Sequence, residues 1–392
     1  MHAFTNLKQD LLSNILPYWQ ERMLDKEHGG FLGRRDGQDN LISHADKGCI
    51  LNARILWTFS SAYRIVKEPS YREMADRAYD YFTSHFFDKV NGGVHWMLDF
   101  KGNPTESKKQ IYAQAFAIYG LSEYARIGGK NDALKRAIEL FELIETYAFE
   151  AEENGYIEAL SEEWKPLADV RLSEKDLNAE KTMNTHLHIL EAYTNLYRVY
   201  KSEVVRRQLK NLLELMLDKF VDEYGHFQLF FSRDWNKLSD EFSYGHDIEG
   251  SWLMCEAAEV LGDEYVRNRC QDVAILMVAA AMEGLDPAGG LMNEGNRQGI
   301  TDPEKHWWPQ AEAIVGLVNA YQITKDEAYL AKADAIWSFV DAHLMDKEHG
   351  EWFWKVNRAG LPDKTEDKAG PWKCPYHNGR AALEIMERME LD

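Results

Sequence analysis

Cysteine is scarce and scattered. Cys49, Cys255, Cys270 and Cys374 form no CxxC pair, a pattern of reduced thiols that argues against a disulfide framework or a cysteine-based metal knuckle. Basic charge is in deficit: 45 Lys+Arg face 65 Asp+Glu, a net charge of -20. A surface of that sign repels phosphate backbones and anionic lipid, so neither nucleic acid nor a membrane is expected as a partner. No apolar run approaches membrane length, and the first residues show no basic-then-apolar leader, so a cytoplasmic protein is expected. No Pro/Gly/Ser-rich linker interrupts the 392 residues, and one domain over 1–392 is expected. HExxH, Cys/His clusters, Asp-rich loops, a glycine-rich loop between strand and helix, and Gly-x-Ser-x-Gly are all missing. No metal, nucleotide or other cofactor is therefore called.

What is present is a repeat. Acid-then-glycine turns ending in an apolar residue recur six times: Asp25 to Phe31, Asp88 to Val94, Glu153 to Tyr156, Asp222 to Phe227, Asp286 to Leu291 and Asp346 to Trp352. Their spacing of roughly 60 to 70 residues is that of a helix-pair repeat. Each turn follows an amphipathic stretch, glycine being the residue that stops a helix with positive φ. Apolar spacing of period 3.6 predicts helices near 4–23, 43–66, 70–87, 108–127, 130–148, 178–200, 203–220, 242–262, 264–283, 302–323, 326–345 and 375–390. Twelve helices in six hairpins make an all-α fold, an (α/α)6 barrel, with short β-strands in the connecting loops.

The second helix of each pair carries chemistry in one register. Lys47 precedes Arg54 by seven residues, as Lys109 does Phe116, Lys181 His188, Lys305 Glu312 and Lys373 Arg380; the fourth repeat has Phe242 before Glu249. These helices are expected to be the inner ones, with their first two turns forming one layer of side chains. That layer holds Arg54, Tyr112, Phe116, Asn184, His188, His246, Glu249, Trp252, Trp308, Glu312, Trp372, His377 and Arg380. His246, Glu249 and Trp252 are three residues apart and are expected on one wall. Such groups are seldom buried without pairing, and three histidines from different repeats point to proton transfer in an aromatic, sugar-sized cup. His186, two residues from His188 and on another face, is read as structural. The run Glu304 to His306 is read as a solvated helix start.

The stretches Asp46-Lys-Gly-x-Ile-Leu-x-x-Arg54, Lys181-Thr-Met-Asn-x-x-Leu-His188, Ser243-Tyr-Gly-His-Asp-Ile-Glu249, Trp307-Trp-Pro-Gln-Ala-Glu-Ala313 and Gly370-Pro-Trp-Lys-Cys-Pro-Tyr-His-Asn-Gly-Arg380 resemble the motifs of cellobiose 2-epimerases, within the N-acylglucosamine 2-epimerase superfamily. The resemblance implies cofactor-free inversion at C2 of the reducing-end sugar of a β-1,4-linked disaccharide, such as cellobiose, lactose or mannobiose. It assigns the two proton carriers to His246 and His377, with His188 polarising the open-chain oxygens. Arg54 would place a positive charge beside the enediolate, and Glu249 and Glu312 would orient histidines. Asn184 would hold a hydroxyl, Trp308 and Trp372 would stack the rings, and Tyr112 and Phe116 would line the floor. The remaining substrate contacts would come from Trp252 and Arg380.

Three rival readings stay open: N-acylglucosamine 2-epimerase, mannose isomerase, and an (α/α)6 glycoside hydrolase using Glu249 and Glu312. The acidic stretch 151–180 is expected to cap the site. A closed barrel has no seam that demands a partner, so a monomer, or a weak homodimer, is expected.

Overall fold

The computed structural model describes residues 2–391. Its helices are α1 (His2–Asp10), α2 (Leu16–Glu21), α3 (Cys49–Val66), α4 (Pro69–His85), α5 (Ile111–Arg126), α6 (Ala133–Tyr147), α7 (Met183–Val199), α8 (Glu203–Leu215), α9 (Tyr244–Leu261), α10 (Glu264–Ala281), α11 (Trp307–Thr324), α12 (Ala328–Phe339) and α13 (His377–Arg388). α1 and α2 are one rod, continuous through a π turn over Leu11–Ile15. Among the described residues this gives twelve rods. α3, α5, α7, α9, α11 and α13 pack each on the next, and α13 returns to α3. The others lie outside as their partners, and the whole is an (α/α)6 barrel.

Burial separates the two rings. α3 buries an unbroken run from Cys49 to Ala62 and α5 one from Ile111 to Tyr124, whereas α8 buries a single stripe, Val205, Leu209, Leu212, Leu213 and Leu215. A helix apolar all round belongs inside, and one with a stripe faces solvent on its other side. No helix among the described residues is long and apolar enough to cross a membrane.

All six turns close as the sequence suggests. The residue before the acid bridges the apolar residue that ends the turn, Leu24 with Phe31, Phe87 with Val94, Val221 with Phe227, Leu285 with Leu291 and Met345 with Trp352; in the third turn the bridge is Phe149 with Tyr156, so that turn opens at Glu150 and not at Glu153. The inner helices start later than expected, at 49 rather than 43, 183 rather than 178 and 307 rather than 302. The residues ahead of them are two-residue strands that carry the repeated lysines, Lys47–Gly48, Lys109–Gln110, Lys181–Thr182 and Lys305–His306. The lysines are thus not part of the helical layer. They turn back to the acids of the turns: Lys47 to Asp25 at 2.6 Å, Lys109 to Asp88 at 2.7 Å, Lys305 to Asp286 at 3.2 Å. In the third repeat the acid is Glu150, 3.2 Å from Lys181, not Glu153. Where Phe242 replaces lysine, Asp222 bonds Arg297 at 2.7 Å.

A second register fastens turn to helix. Gln114, His186, Asp247 and Gln310, each two residues before the layer position, accept the backbone N–H of Val94, Tyr156, Phe227 and Leu291 at 2.8, 2.9, 2.7 and 2.7 Å. His186 therefore carries its proton on Nδ1, bonded to the Thr182 carbonyl at 2.7 Å. It is structural, as read.

Candidate functional site

A cavity of about 480 Å³ opens at the N-terminal ends of α7 and α9 and the strand ahead of α11, lined by Asn184, His246, His306 and Trp354 and by Arg171 to Ser173 and Lys175 to Leu177 of the acidic stretch. That stretch forms one wall. His306 is not a solvated helix start: it pairs with Lys355 in a short strand, is half-buried, and burial pulls its pKa down to about 4. A larger cavity of about 750 Å³ lies at the other end of the ring, but its arginines already face glutamates, Arg64 and Arg126 to Glu123, Arg198 to Glu256 and Arg388 to Glu384. Its four arginines are paired within its own lining.

Rings connect the three histidines of the layer. His188 lies 4.8 Å from Phe116 and 5.0 Å from Tyr112; Phe116 lies 5.4 Å from Tyr376, and Tyr376 4.7 Å from His377. Trp308 then stands between His377 at 5.5 Å and His246 at 4.7 Å. A Cβ on Gly245 would come within 2.4 Å of that indole, so glycine is what lets Trp308 lie against α9 beside His246. Trp372, half-buried, meets Trp96 at 5.9 Å and Tyr112 at 6.1 Å on the opposite side.

Behind the histidines lies a layer of charge. Arg380, wholly buried, donates through Nη2 to Glu249 at 2.5 Å and Glu312 at 2.7 Å, and through Nη1 to Glu191 and the Tyr376 hydroxyl. Three carboxylates thus share one guanidinium, which cannot hold all of them low. Burial lifts Glu249 to about 7, with the charge of Glu312 adding to it against Arg380. Burial also raises Glu312. Glu191 goes the other way: although burial opposes it, Arg380 and His188 hold it down to about 2.

The carboxylates back two of the histidines. His377 Nδ1 is 2.7 Å from Glu312 and His188 Nδ1 2.9 Å from Glu191, which leaves each Nε2 as the free ring nitrogen. His246 has no such support. Its Nδ1 is buried without a partner, and Glu249, expected to orient it, is taken by Arg380. Burial drops His246 to about 3 and His377 well below its ordinary value, so both are neutral near pH 7.

Arg54 lies between rings, 4.3 Å from Phe116 and 4.5 Å from Tyr376, and donates to the Tyr112 hydroxyl at 2.9 Å. Its Nε and Asn184 Oδ1 are buried polar atoms without partners. Trp252 departs from its expected place. It is fully buried and braces Glu312 through its indole N–H at 3.0 Å, because six residues on from His246 the helix has turned its face away from the cavity. Glu249, Glu312 and Arg380 are likewise buried, and the cavity lining includes none of them, nor His188, His377, Arg54, Tyr112, Phe116, Trp308 or Trp372. Among the described residues Glu249, Glu312 and His377 bring possible metal-ligand atoms within 4.8 Å, a grouping no sequence spacing discloses. The Arg380 charge at the two glutamates opposes a cation there.

Sequence reasoning missed Glu191 and Tyr376. A signal for the first existed: His188 and Glu191 have the same three-residue spacing that singles out His246 and Glu249.

Three histidines, two of them backed by buried carboxylates, thus stand among aromatic rings at one end of an (α/α)6 barrel. The model of the N-acylglucosamine 2-epimerase (GlcNAc 2-epimerase) family matches residues 29–381, and the chain belongs to that family and is an epimerase. It is 51% identical to a cellobiose 2-epimerase of Bacteroides fragilis over 382 residues, 97% of either chain. The solved cellobiose 2-epimerase of Bacillus thermoamylovorans is 41% identical, with a TM-score of 0.93 over 99% of this chain and 100% of that one. A D-mannose isomerase of Marinomonas mediterranea is 21% identical over 97% of this chain and 96% of its own.

Proposed function

We propose that this chain inverts C2 of the reducing-end sugar of β-1,4-linked disaccharides, turning cellobiose into glucosyl-mannose, through ring opening and a cis-enediol intermediate. The observation that carries the reading is that His246 and His377, from different helices, both lie against Trp308, at 4.7 and 5.5 Å from its ring. Inversion needs a proton removed from one face of C2 and returned to the other, hence two carriers on two walls. Burial keeps both imidazoles neutral, the form that takes the C2 proton; the carrier on the other wall takes up a solvent proton before delivering it to C2, and the first sheds its own to solvent, so that protons and charge balance. Glu312 behind His377 fixes its tautomer and steadies the imidazolium as it forms.

Arg54 sets a permanent charge beside the enediolate, and His188, aligned by Glu191, hydrogen-bonds the open-chain oxygens. Trp308 and Trp372 offer faces to the two rings, and Asn184 holds a hydroxyl. The half-buried His306 and Trp354 extend the wall toward the second sugar. Residues 1–392 act as one catalytic domain, and the ring, closed within a single chain, supports action as a monomer.

The test is proton NMR of cellobiose in D2O with EDTA, for the wild type, His246→Ala and His377→Ala. Glucosyl-mannose carrying deuterium at C2, formed by the wild type and lost in both variants, is expected. Free glucose would instead make Glu249 and Glu312 hydrolytic catalysts, a ketose product would point to isomerisation without inversion, and unchanged cellobiose would rule out this substrate.

A further inference from the structure

In four repeats the residue before the last of the acid-glycine turn is a glycine with positive φ: Gly30 at 61°, Gly93 at 75°, Gly155 at 94° and Gly290 at 79°. The two exceptions are His226 in the fourth repeat and Glu351 in the sixth. These are the repeats whose inner helices carry His246 and His377. Glu351 takes the left-handed conformation, at φ 62°, where an L-residue is strained and the other repeats use glycine.

Both exceptional side chains are buried, and both reach the residue that directly follows the histidine. His226 Nδ1 lies 2.7 Å from Asp247 Oδ2, with its ring stacked 3.7 Å from Phe242. Asn378 Nδ2 donates to Glu351 Oε1 at 2.7 Å. Glu351 is held in turn by Lys373 and by its neighbour's backbone N–H, from Trp352, at 2.7 Å. The coincidence is geometric as well as sequential. Asp247 and Asn378 stand at the register that in the second, third and fifth repeats fastens turn to helix through the turn's backbone, as Gln114 and Gln310 do with both the N–H and the carbonyl of Val94 and Leu291.

We propose that His226 and Glu351 are positioning residues, which replace glycine so that the pairs His226–Asp247 and Glu351–Asn378 lock the first turns of α9 and α13 and thereby the places of His246 and His377. His246 needs this most, since no carboxylate aligns its ring. A proton carrier displaced by about 1 Å can cost on the order of 100-fold in rate, which gives a reason to retain a strained residue where glycine would be free of strain.

The proposal rests on the proton-transfer role of the two histidines and is tested in two arms. The variants are His226→Gly, the residue the other repeats use, and Glu351→Gly with Lys373→Met, which removes the buried ion pair as a pair. Expected are a fall in kcat for C2 deuterium exchange of about tenfold or more, KM within about twofold, and unfolding temperatures within a few degrees. Imidazole nitrogen NMR gives the second arm: signals of His246 should shift or broaden in the first variant and those of His377 in the second. Folded variants with unchanged kcat and unmoved imidazole signals overturn the proposal. Where a glycine variant does not fold, the near-isosteric Asp247→Asn and Asn378→Asp take its place under the same criterion. A wild type that exchanges no deuterium would sink the functional reading, while the NMR arm would still decide the positioning.

Discussion

His188 Nδ1 and Glu191 Oε2 lie 2.9 Å apart, three residues along one helix. The identical spacing at His246 and Glu249 makes no such bond: Glu249 accepts instead from Arg380 of α13, two places round the ring, at 2.5 Å. Local spacing offers both pairs, and only the first forms. Glu191→Gln removes the charge that aligns His188 and helps to balance Arg380. A hydrogen bond to a charged group contributes about 1.5–3 kcal/mol, so kcat/KM for C2 epimerisation should fall by a factor of about 10 to 150. Unchanged kcat/KM in a folded protein would show that His188 needs no carboxylate.

His186 and His188 should separate stability from activity. His186→Ala loses two buried bonds, to the Thr182 carbonyl and from the Tyr156 N–H, and should lower stability by about 1–3 kcal/mol with kcat nearly intact. His188→Ala should do the reverse. Denaturant unfolding and initial rates on both proteins check the pair, and the opposite assignment would move the active site to another helix face.

Gly245→Ala should disturb the indole between the two proton carriers. Its Cβ would sit 2.4 Å from Trp308 and 2.9 Å from Pro309, closer than atoms can approach, so Trp308 must swing into the cavity. KM for the disaccharide should rise about tenfold, with kcat falling as well. Wild-type kinetics in this variant would show that the ring has room to yield.

The buried carboxylates carry a pH signature. Glu249 titrates at about 7 in the native protein against an ordinary 4.5, so the folded state favours its protonated form. Its contribution to stability is present below pH 4.5 and is lost as pH rises through about 7. Glu249→Gln cannot ionise. The difference in unfolding temperature, variant minus wild type, should therefore be more positive at pH 8 than at pH 5. A difference flat across that range would mean that Arg380 alone neutralises Glu249.

The six acid-glycine turns, the twelve helices and the inner identity of α3, α5, α7, α9, α11 and α13 were legible in the chain, since positive φ at glycine and a period of 3.6 are local properties. His188 was legible for the same reason, since its register seven after the lysine repeats, whereas His246 and His377, four after Phe242 and Lys373, stood out through the motifs around them. What local pattern did not reveal is partnership across the ring. The lysines read as helical because their spacing to Arg54 or Glu312 is seven, yet Lys47 and Lys305 lie in strands, where their ammonium groups meet Asp25 and Asp286 in the preceding turns. Trp252 read as a wall residue because it follows Glu249 by three, but six residues from His246 an α-helix has rotated far enough to bury it.

The sequence by itself determined a barrel, one end of which is rich in histidine, carboxylate and indole. Tertiary structure decided how that end is wired: Glu312 behind His377, Glu191 behind His188, His246 left to the rigidity of its helix, and Arg380 as the shared counter-ion. Apart from Glu191, which lies three residues from His188 on the same helix, these choices depend on distances between helices 60 or more residues apart in the chain, as between Glu249 and Arg380. In a buried layer with one cation for three carboxylates, the pairing that forms is settled by packing and mutual repulsion, which no single segment encodes.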